Sequence, residues 1–171
     1  MEATFQTSVS KFDDSLWGFH LKVPEVIYQS FATQKIKRVL MQINGSEKLH
    51  AGFMPEGNEK YFLMLSKDLM KRLQLAGGQS VNVIIEEDTT RYGMPISTEM
   101  KELLELDPEG ESYFHKLTPG KIRSLLHYVN KFKSSDKRIE KSVIILEHLK
   151  ANNGTLDWKA LHDAFKTGLH F

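Results

Sequence analysis

The sequence predicts an α+β protein in which a small, duplicated β barrel with two short helices precedes a compact α-helical domain. Two observations predict the β half: apolar residues alternate along several short stretches, and one such pattern recurs 42 residues later in the chain. A third observation predicts the helical half, because beyond residue 95 the alternation stops and apolar residues recur at helical spacing. We therefore expect a β domain over residues 1–90 and a helical domain over residues 95–171.

The repeat consists of two stretches, about residues 19–45 and 61–88, that each indicate a strand, a short helix and a second strand. A pattern that recurs at a fixed offset without a gap is typical of a duplicated supersecondary unit. Two copies are too few for a solenoid, so we expect one β barrel with internal pseudo-two-fold symmetry. The matching anchors are Leu21 and Leu63, Val23 and Leu65, Ile27 and Leu69, Tyr28 and Met70, Phe31 and Leu73, Val39 and Val81, Met41 and Val83, and Ile43 and Ile85.

The second copy shows the local chemistry of the repeat most clearly. Ser66 is predicted to cap the short helix, because its hydroxyl can accept a hydrogen bond from an unpaired backbone N–H. Gly77-Gly78 is predicted to end the helical segment, since glycine enters the left-handed region without penalty. No GxxxxGK[ST] or GxGxxG spacing surrounds these glycines, so a helix stop is preferred to a phosphate-binding loop.

The remaining β segments are predicted from alternation and turn residues. Residues 3–12 and 17–23 are expected to be strands joined by a turn at 13–15. Asn44-Gly45 is typical of a tight hairpin because both residues tolerate positive φ, and residues 47–54 are expected to return as the partner strand. Residues 55–59 are predicted as a loop, which brings the expectation to about six strands.

The helical half begins after a linker over residues 88–95. Ser97, Asp107-Pro108 and Thr118-Pro119 are helix-start signals. Two longer helices follow, and residues 156–165 indicate a short final helix with Trp158, Leu161 and Phe165 as its contacts. The predicted core of this half consists of apolar residues at i, i+3, i+4 and i+7 spacing on the two longer helices. Its members are Ile122, Leu126, Val129, Ile139, Val143 and Leu146.

Composition excludes several classes of protein. The chain has no cysteine, so disulfides, thiolate metal sites and cysteine nucleophiles are excluded. The chain has no run of about 18 apolar residues, so no membrane span is predicted. The first residues also lack the pattern of a secretory signal. The sequence therefore predicts a cytoplasmic protein without a membrane association.

Several segments resemble known bacterial families. The β half, with WGFHLKVP, QINGS, GFMP, YFLMLSKDL and LAGGQSVNVIIEED, resembles a bacterial domain-of-unknown-function family whose fold is similar to the double-split barrel of AbrB and MazE-type regulators. The helical half, with LTPGKIRSLLHYVN followed by KRIEK, resembles the bacteriocin-protection, YdeI/OmpD-associated family. These resemblances imply a double-split barrel fused to a YdeI/OmpD-associated helical domain, and possible links to bacteriocin or stress tolerance, but no catalytic residues.

The net charge of +1 conceals a basic segment over residues 116–150, which holds nine Lys and Arg against three acids. A basic pair of helices over residues 116–141 could bind the phosphates of a nucleic acid, since clustered cations gain free energy by releasing counterions. The candidate anion-binding residues are Arg123, His127, Lys131, Lys137, Arg138 and Lys141. A solvated face, or a dock for the acidic segment 97–111, is preferred, because a domain of near-zero net charge is a poor nucleic-acid binder.

A second candidate site is an aromatic cleft in the barrel. Trp17, Phe19, Tyr61 and Phe62 could line a ligand cleft there, although aromatic residues in strands more often pack in the core. The seven histidines show no HxxxH or HExxH spacing, so no metal site and no cofactor are predicted. No GxSxG elbow is present, and an enzyme would need a site assembled from distant residues.

We therefore expect a non-enzymatic cytoplasmic binding protein. A protein or small-ligand partner is preferred over nucleic acid. A monomer is preferred over a dimer, because the duplication supplies both halves of the barrel within one chain. The first alternative is a nucleic-acid-binding protein that uses the basic helical pair. The second is an enzyme, which would show a deep cleft with converging titratable groups of perturbed pKa.

Overall fold

A computed structural model describes residues 1–12 and 18–168 of the chain. The chain divides into two compact units, Met1–Gly93 and Met94–Phe171. We call them the β unit and the helical unit and describe each by itself.

The β unit is one antiparallel sheet that curls into a half-barrel, with two short helices. Its strands have the order β4-β3-β7-β1-β2-β6-β5. The long first strand belongs to both halves of the sheet, because residues 2–8 pair with β7 and residues 9–11 pair with β2. The elements are β1 (Glu2–Lys11), β2 (Phe19–Val23), α1 (Glu25–Thr33), β3 (Arg38–Ile43), β4 (Leu49–Gly52), β5 (Met54–Gly57), β6 (Lys60–Leu65), α2 (Lys67–Arg72) and β7 (Ser80–Glu87).

The strand register shows the predicted pseudo-two-fold symmetry. Leu21 of β2 lies opposite Leu63 of β6, and Gln42 of β3 lies opposite Ile84 of β7. In both pairs a residue faces its own counterpart 42 positions later, which is the pairing that a two-fold axis between the copies requires. The equivalent anchors are also buried alike, as shown by Leu21 and Leu63, which are both fully buried. The predicted α+β class and the duplicated β fold are therefore confirmed.

One segment predicted as a loop is a strand. Residues 55–59 were expected to leave the sheet, but Met54–Gly57 forms β5 and pairs with β6 through an irregular register near Pro55. Proline is tolerated there because β5 is an edge strand, where one side of the backbone needs no partner. The sheet has seven strands in the described residues rather than about six. The turn predicted at 13–15 lies outside the described residues.

The helical unit contains α3 (Thr98–Leu106), α4 (Pro108–Lys116), α5 (Pro119–Asn130), α6 (Ser135–Ala151) and α7 (Trp158–Thr167). The predicted caps are confirmed, because the side chains of Ser97, Asp107 and Thr118 each accept a hydrogen bond from a backbone N–H of the first turn. Asp157 caps α7 in the same way. Across the residues described here, none of the helices has the length and apolar character needed to cross a lipid bilayer.

The central element of the helical unit is α6, which contacts α3, α4, α5 and α7. The prediction that Ile139 lies in the core is wrong, because this side chain is 42% exposed, and Val143 is only partly buried. A helix surrounded by four others buries residues on more than one side, so a single apolar stripe does not describe it. The residues that α6 does bury are Lys141, Ser142, Ile144, Ile145, Leu146, His148 and Leu149.

Ser142 of α6 is fully buried, and its hydroxyl has no hydrogen-bond partner among the described residues. An unpaired buried hydroxyl carries a desolvation cost, and alanine also has the higher helix propensity. We expect Ser142→Ala to raise the free energy of unfolding by about 1 kcal/mol in urea denaturation. The exposed Ser124, whose hydroxyl donates to the Gly120 carbonyl, is the matched control. A Ser142→Ala variant that is less stable than Ser124→Ala would contradict the expectation.

Candidate functional site

An open, apolar groove lies between α5 and α7 in the helical unit. It has a volume of about 410 Å³ and is lined by Tyr128, Trp158, Lys159, His162 and Phe165. Pockets that bind small ligands or side chains are concave, mostly apolar and of comparable volume, with a few polar groups at their edges. We call this feature the aromatic groove.

The spacing of residues on α7 explains how the groove forms. Trp158, His162 and Phe165 follow i, i+4 and i+7 spacing and share one side of the helix. Phe165 stacks on Tyr128 of α5, with ring centroids 4.2 Å apart and planes inclined by 11°. Trp158 remains 47% exposed, which is unusual for the largest side chain. The groove therefore has a closed aromatic floor and an open aromatic wall.

The polar edge of the groove is basic. The Nζ atom of Lys131 lies 3.8 Å from the centre of the Tyr128 ring, which is a cation–π geometry. Lys159 and His162 are the polar residues that line the groove itself, and no carboxylate is among its described lining residues. Burial, and then the negative charge of Glu140, raise the pKa of Tyr128, so its hydroxyl stays neutral at physiological pH.

Two buried polar side chains of α6 fix the position of α7. Lys141 donates one hydrogen bond to the Phe165 carbonyl, at 2.9 Å, and one to Glu140 Oε1, at 2.7 Å. His148 accepts a hydrogen bond at Nε2 from the backbone N–H of Asp157, the capping residue of α7, at 3.2 Å. The groove therefore depends on contacts at both ends of α7.

The contact of His148 makes stability depend on pH. Burial lowers the pKa of His148 below its usual 6.5, so the folded protein holds the neutral imidazole, which can accept the Asp157 N–H bond. Between the lowered pKa and 6.5 the unfolded chain binds more protons, so the free energy of unfolding falls as the pH falls through that window. We expect His148→Gln to reduce this slope, which is at most about 1.4 kcal/mol per pH unit for one group. Urea denaturation at several pH values between 5 and 7 measures it, and an unchanged slope would contradict it.

The predicted basic helical pair is largely engaged within the helical unit. Arg138 binds Glu99 with two hydrogen bonds, at 2.7 and 2.8 Å, and also donates to the carbonyls of Phe132 and Lys133. Lys141 is buried, as described above, and Lys137 binds Glu140 at 3.0 Å.

The other three predicted anion-binding residues lie on α5 or at its end. Lys131 belongs to the edge of the groove, while His127 is exposed and Arg123 is partly exposed. Asn130, the main candidate for reading bases, donates to the Pro95 carbonyl at 2.8 Å. Arg138 and Lys137 thus form ion pairs with carboxylates of their own unit. The six predicted residues do not form one continuous exposed surface.

The acidic segment 97–111 supplies partners for basic residues of α6. Arg138 pairs with Glu99, and Lys150 pairs with Asp107 at 2.9 Å. The hydrogen bonds from Arg138 lower the pKa of Glu99 to about 2. Of the six predicted anion-binding residues, Arg138 is the one whose described contacts reach this acidic segment.

The three described residues of the predicted aromatic cleft, Phe19, Tyr61 and Phe62, do not all lie on one side of the sheet. Tyr61 stacks on Tyr28, with ring centroids 3.4 Å apart, and Phe19 packs against the core of the sheet. Phe62 follows Tyr61 in β6 and points to the opposite side of the sheet, where it contacts Phe12 and His20. Trp17 lies outside the described residues. The hydrogen bond to Tyr61 raises the pKa of Tyr28 to about 12, as is typical of a packed pair.

Titratable groups of the β unit form one notable pair. His50 Nδ1 lies 2.7 Å from Asp88 Oδ2, and the Asp88 side chain is fully buried. Hydrogen bonds from Thr90 and His50 outweigh the effect of burial and lower the pKa of Asp88, so this carboxylate is charged and orients the imidazole. Among the described residues, no cluster of three or more His, Asp or Glu could hold a metal ion.

Sequence reasoning missed the aromatic groove, although a signal for it was present. The sequence predicts Trp158 and Phe165 as packing contacts of the last helix and assigns no role to Tyr128. The spacing of Trp158, His162 and Phe165 placed a histidine between two aromatic residues on one side of α7. A side of a helix that mixes exposed aromatic and basic residues is typical of a binding surface.

The fold and the groove together define a two-unit α+β protein with a duplicated half-barrel and a helical unit that carries an aromatic groove. Residues 5–85 match the model of the family described as a domain of unknown function, DUF1905. The β unit is therefore similar to that family, which confirms the coarse resemblance of the β half to a domain of unknown function. The match does not extend into the helical unit. No curated protein matches the chain.

Proposed function

We propose that this chain is a cytoplasmic binding module whose aromatic groove takes an apolar group of a partner. The observation that carries the proposal is the groove of about 410 Å³ with Trp158 exposed on its wall. Tryptophan and tyrosine contribute disproportionately to binding energy when a partner covers them. The described lining of the groove contains Lys159 and His162 but no carboxylate, which suits a partner group with negative charge.

The anionic fluorescent dye 8-anilinonaphthalene-1-sulfonate is a suitable first probe, because it combines an aromatic body with one negative charge. We expect the full chain to bind this dye saturably, with an increase in dye fluorescence. Trp158→Glu should weaken binding at least about tenfold, since a charged side chain replaces apolar contact area in the groove.

The matched control is Leu106→Glu. Leu106 is 79% exposed in the same unit and does not line the groove, so this variant removes apolar surface and adds the same charge elsewhere. Equal loss of dye binding in the Trp158→Glu and Leu106→Glu variants would contradict the proposal. Dye binding that both variants leave unchanged would contradict it as well.

We further propose that the helical unit is a YdeI/OmpD-associated domain, which its LTPGKIRSLLHYVN and KRIEK segments support. A contribution to bacteriocin or stress tolerance follows from this resemblance. A deletion strain should become more sensitive to bacteriocins, and the wild-type chain should restore tolerance while the Trp158→Glu variant does not. If the Trp158→Glu variant restored tolerance fully, bacteriocin tolerance would not depend on the aromatic groove.

Two alternatives make different predictions. A nucleic-acid-binding role of the basic helical pair predicts salt-sensitive binding of oligonucleotides that Lys137→Glu weakens. It has less support, because Lys137, Arg138 and Lys141 already bind carboxylates or carbonyls of their own unit. An enzymatic role would have its best-oriented general base in the imidazole of His50, and predicts an activity that His50→Gln abolishes.

A further inference from the structure

The basic side chains at the edge of the aromatic groove have no carboxylate partner among the described residues, which indicates the chemistry of a ligand for the groove. Lys131, Lys159 and His162 form no ion pair with any other described residue. Lys131 is held over the Tyr128 ring, and Lys159 and His162 stand on the exposed side of α7. We call these three side chains, which lie along an apolar groove, the cationic rim, and its positive charge is that of the two lysines.

Three carboxylates on α6, on α7 and at the start of α7 have hydrogen-bond or ion-pair partners outside the rim side chains. Glu140 receives hydrogen bonds from both Lys137 and Lys141, and these two contacts lower its pKa. Asp163 lies 3.7 Å from Lys166, and Asp157 accepts two backbone N–H bonds as the cap of α7. Among the described residues, no carboxylate forms an ion pair with the rim, and a ligand with negative charge would supply this partner.

The size of the cationic rim favours a short acidic segment over a nucleic-acid strand. Strands of nucleic acid bind along extended basic grooves with a phosphate contact at each step. Here the neighbouring Lys137, Arg138 and Lys141 are engaged within the unit, so they do not extend the rim into a continuous basic track. A few carboxylates on either side of one aromatic side chain match this arrangement.

We infer that the groove binds an acidic peptide segment, which inserts one aromatic side chain against Tyr128, Trp158 and Phe165 and places its carboxylates at Lys131, Lys159 and His162. This inference rests on the proposed function and names the class of partner. The aromatic side chain supplies the buried contact area, and the flanking carboxylates supply the orientation.

Fluorescence anisotropy with the full chain tests this inference. The probe is a dye-labelled peptide in which a central tryptophan is flanked on both sides by aspartate and glutamate. We expect saturable binding that a Lys131→Glu/Lys159→Glu double variant weakens at least about tenfold, because like charges then face each other. Lys101→Glu, an exposed lysine on α3, carries the same charge change away from the groove and should bind as the wild type does.

Two further probes separate the possible outcomes. A peptide with lysine in place of the acids should not bind, and binding of both peptides with equal affinity would overturn the acidic specificity. A labelled oligothymidine that binds more tightly than the acidic peptide, with the same sensitivity to the double variant, would overturn the choice of a peptide. If the protein binds anilinonaphthalenesulfonate but not the acidic peptide, the acidic peptide is refuted as the partner and the groove remains a binding site. If the protein binds neither probe, the groove is refuted as a binding site.

Discussion

Leu63→Ala is expected to lower the free energy of unfolding by about 2–5 kcal/mol. Leu63 is fully buried in β6 and faces Leu21 across the pseudo-two-fold axis of the β unit. Truncation there removes apolar contact area and leaves a cavity in the hydrophobic core of the β unit, which close packing prevents from collapsing fully. Urea denaturation followed by circular dichroism measures the change.

The pseudo-two-fold symmetry also predicts the effects of Leu21→Ala and of the Leu21→Ala/Leu63→Ala double variant. Leu21→Ala should cost a similar amount, since Leu21 has the equivalent position and is also fully buried. The double variant should cost less than the two single changes together, because contacting residues share one cavity. Leu106→Ala, at a position 79% exposed, should change stability by less than about 0.5 kcal/mol. A Leu63→Ala variant as stable as Leu106→Ala would contradict the assigned register.

Lys141→Met is expected to lower the free energy of unfolding by about 1–3 kcal/mol. Methionine keeps the apolar stem of this buried side chain but removes the ammonium group that donates to the Phe165 carbonyl and to Glu140. The carbonyl near the end of α7 then loses its partner. Hydrogen exchange should accelerate along α7, and anilinonaphthalene binding should weaken because Phe165 belongs to the groove.

Lys137→Met is the matched control for this prediction. Lys137 stands one helical turn earlier on α6 and also binds Glu140, but its side chain is 58% exposed. An exposed ion pair contributes little to stability, so this variant should lie within about 0.5 kcal/mol of the wild type. Equal destabilisation by Lys137→Met and Lys141→Met would show that the buried hydrogen bond to the Phe165 carbonyl does not contribute measurably to the free energy of unfolding.

Local chemistry and periodicity were sufficient to predict most of the fold. The 42-residue offset predicted which strands are equivalent, and the structure adds that β2 pairs with β6 and β3 with β7. Asn44 and Gly45 both adopt positive φ at the predicted hairpin, and the caps at Ser97 and Thr118 form as expected. These features depend on a few neighbouring residues, so the sequence alone contains them.

The features that could not be predicted depend on tertiary surroundings. Ile139 is apolar and correctly spaced, but its side chain is 42% exposed, and which positions of α6 the neighbouring helices cover is set by tertiary packing. Lys141 looks like a surface cation, but it is buried because the end of α7 lies against it. The partners of Arg138 and Lys141 lie 39 and 24 residues away in sequence, so their roles as internal contacts are visible only in the structure.

The most direct test of the aromatic groove as the binding site uses the two tryptophans of the chain. Trp158 belongs to the groove, and Trp17 belongs to the cleft predicted for the β half, so their indole N–H signals report on the two candidate sites. Trp17→Phe assigns the two signals in a proton–nitrogen correlation spectrum. During titration with anilinonaphthalenesulfonate we expect the Trp158 signal to shift and the Trp17 signal to stay in place. A shift of Trp17 with an unmoved Trp158 would contradict the groove as the binding site.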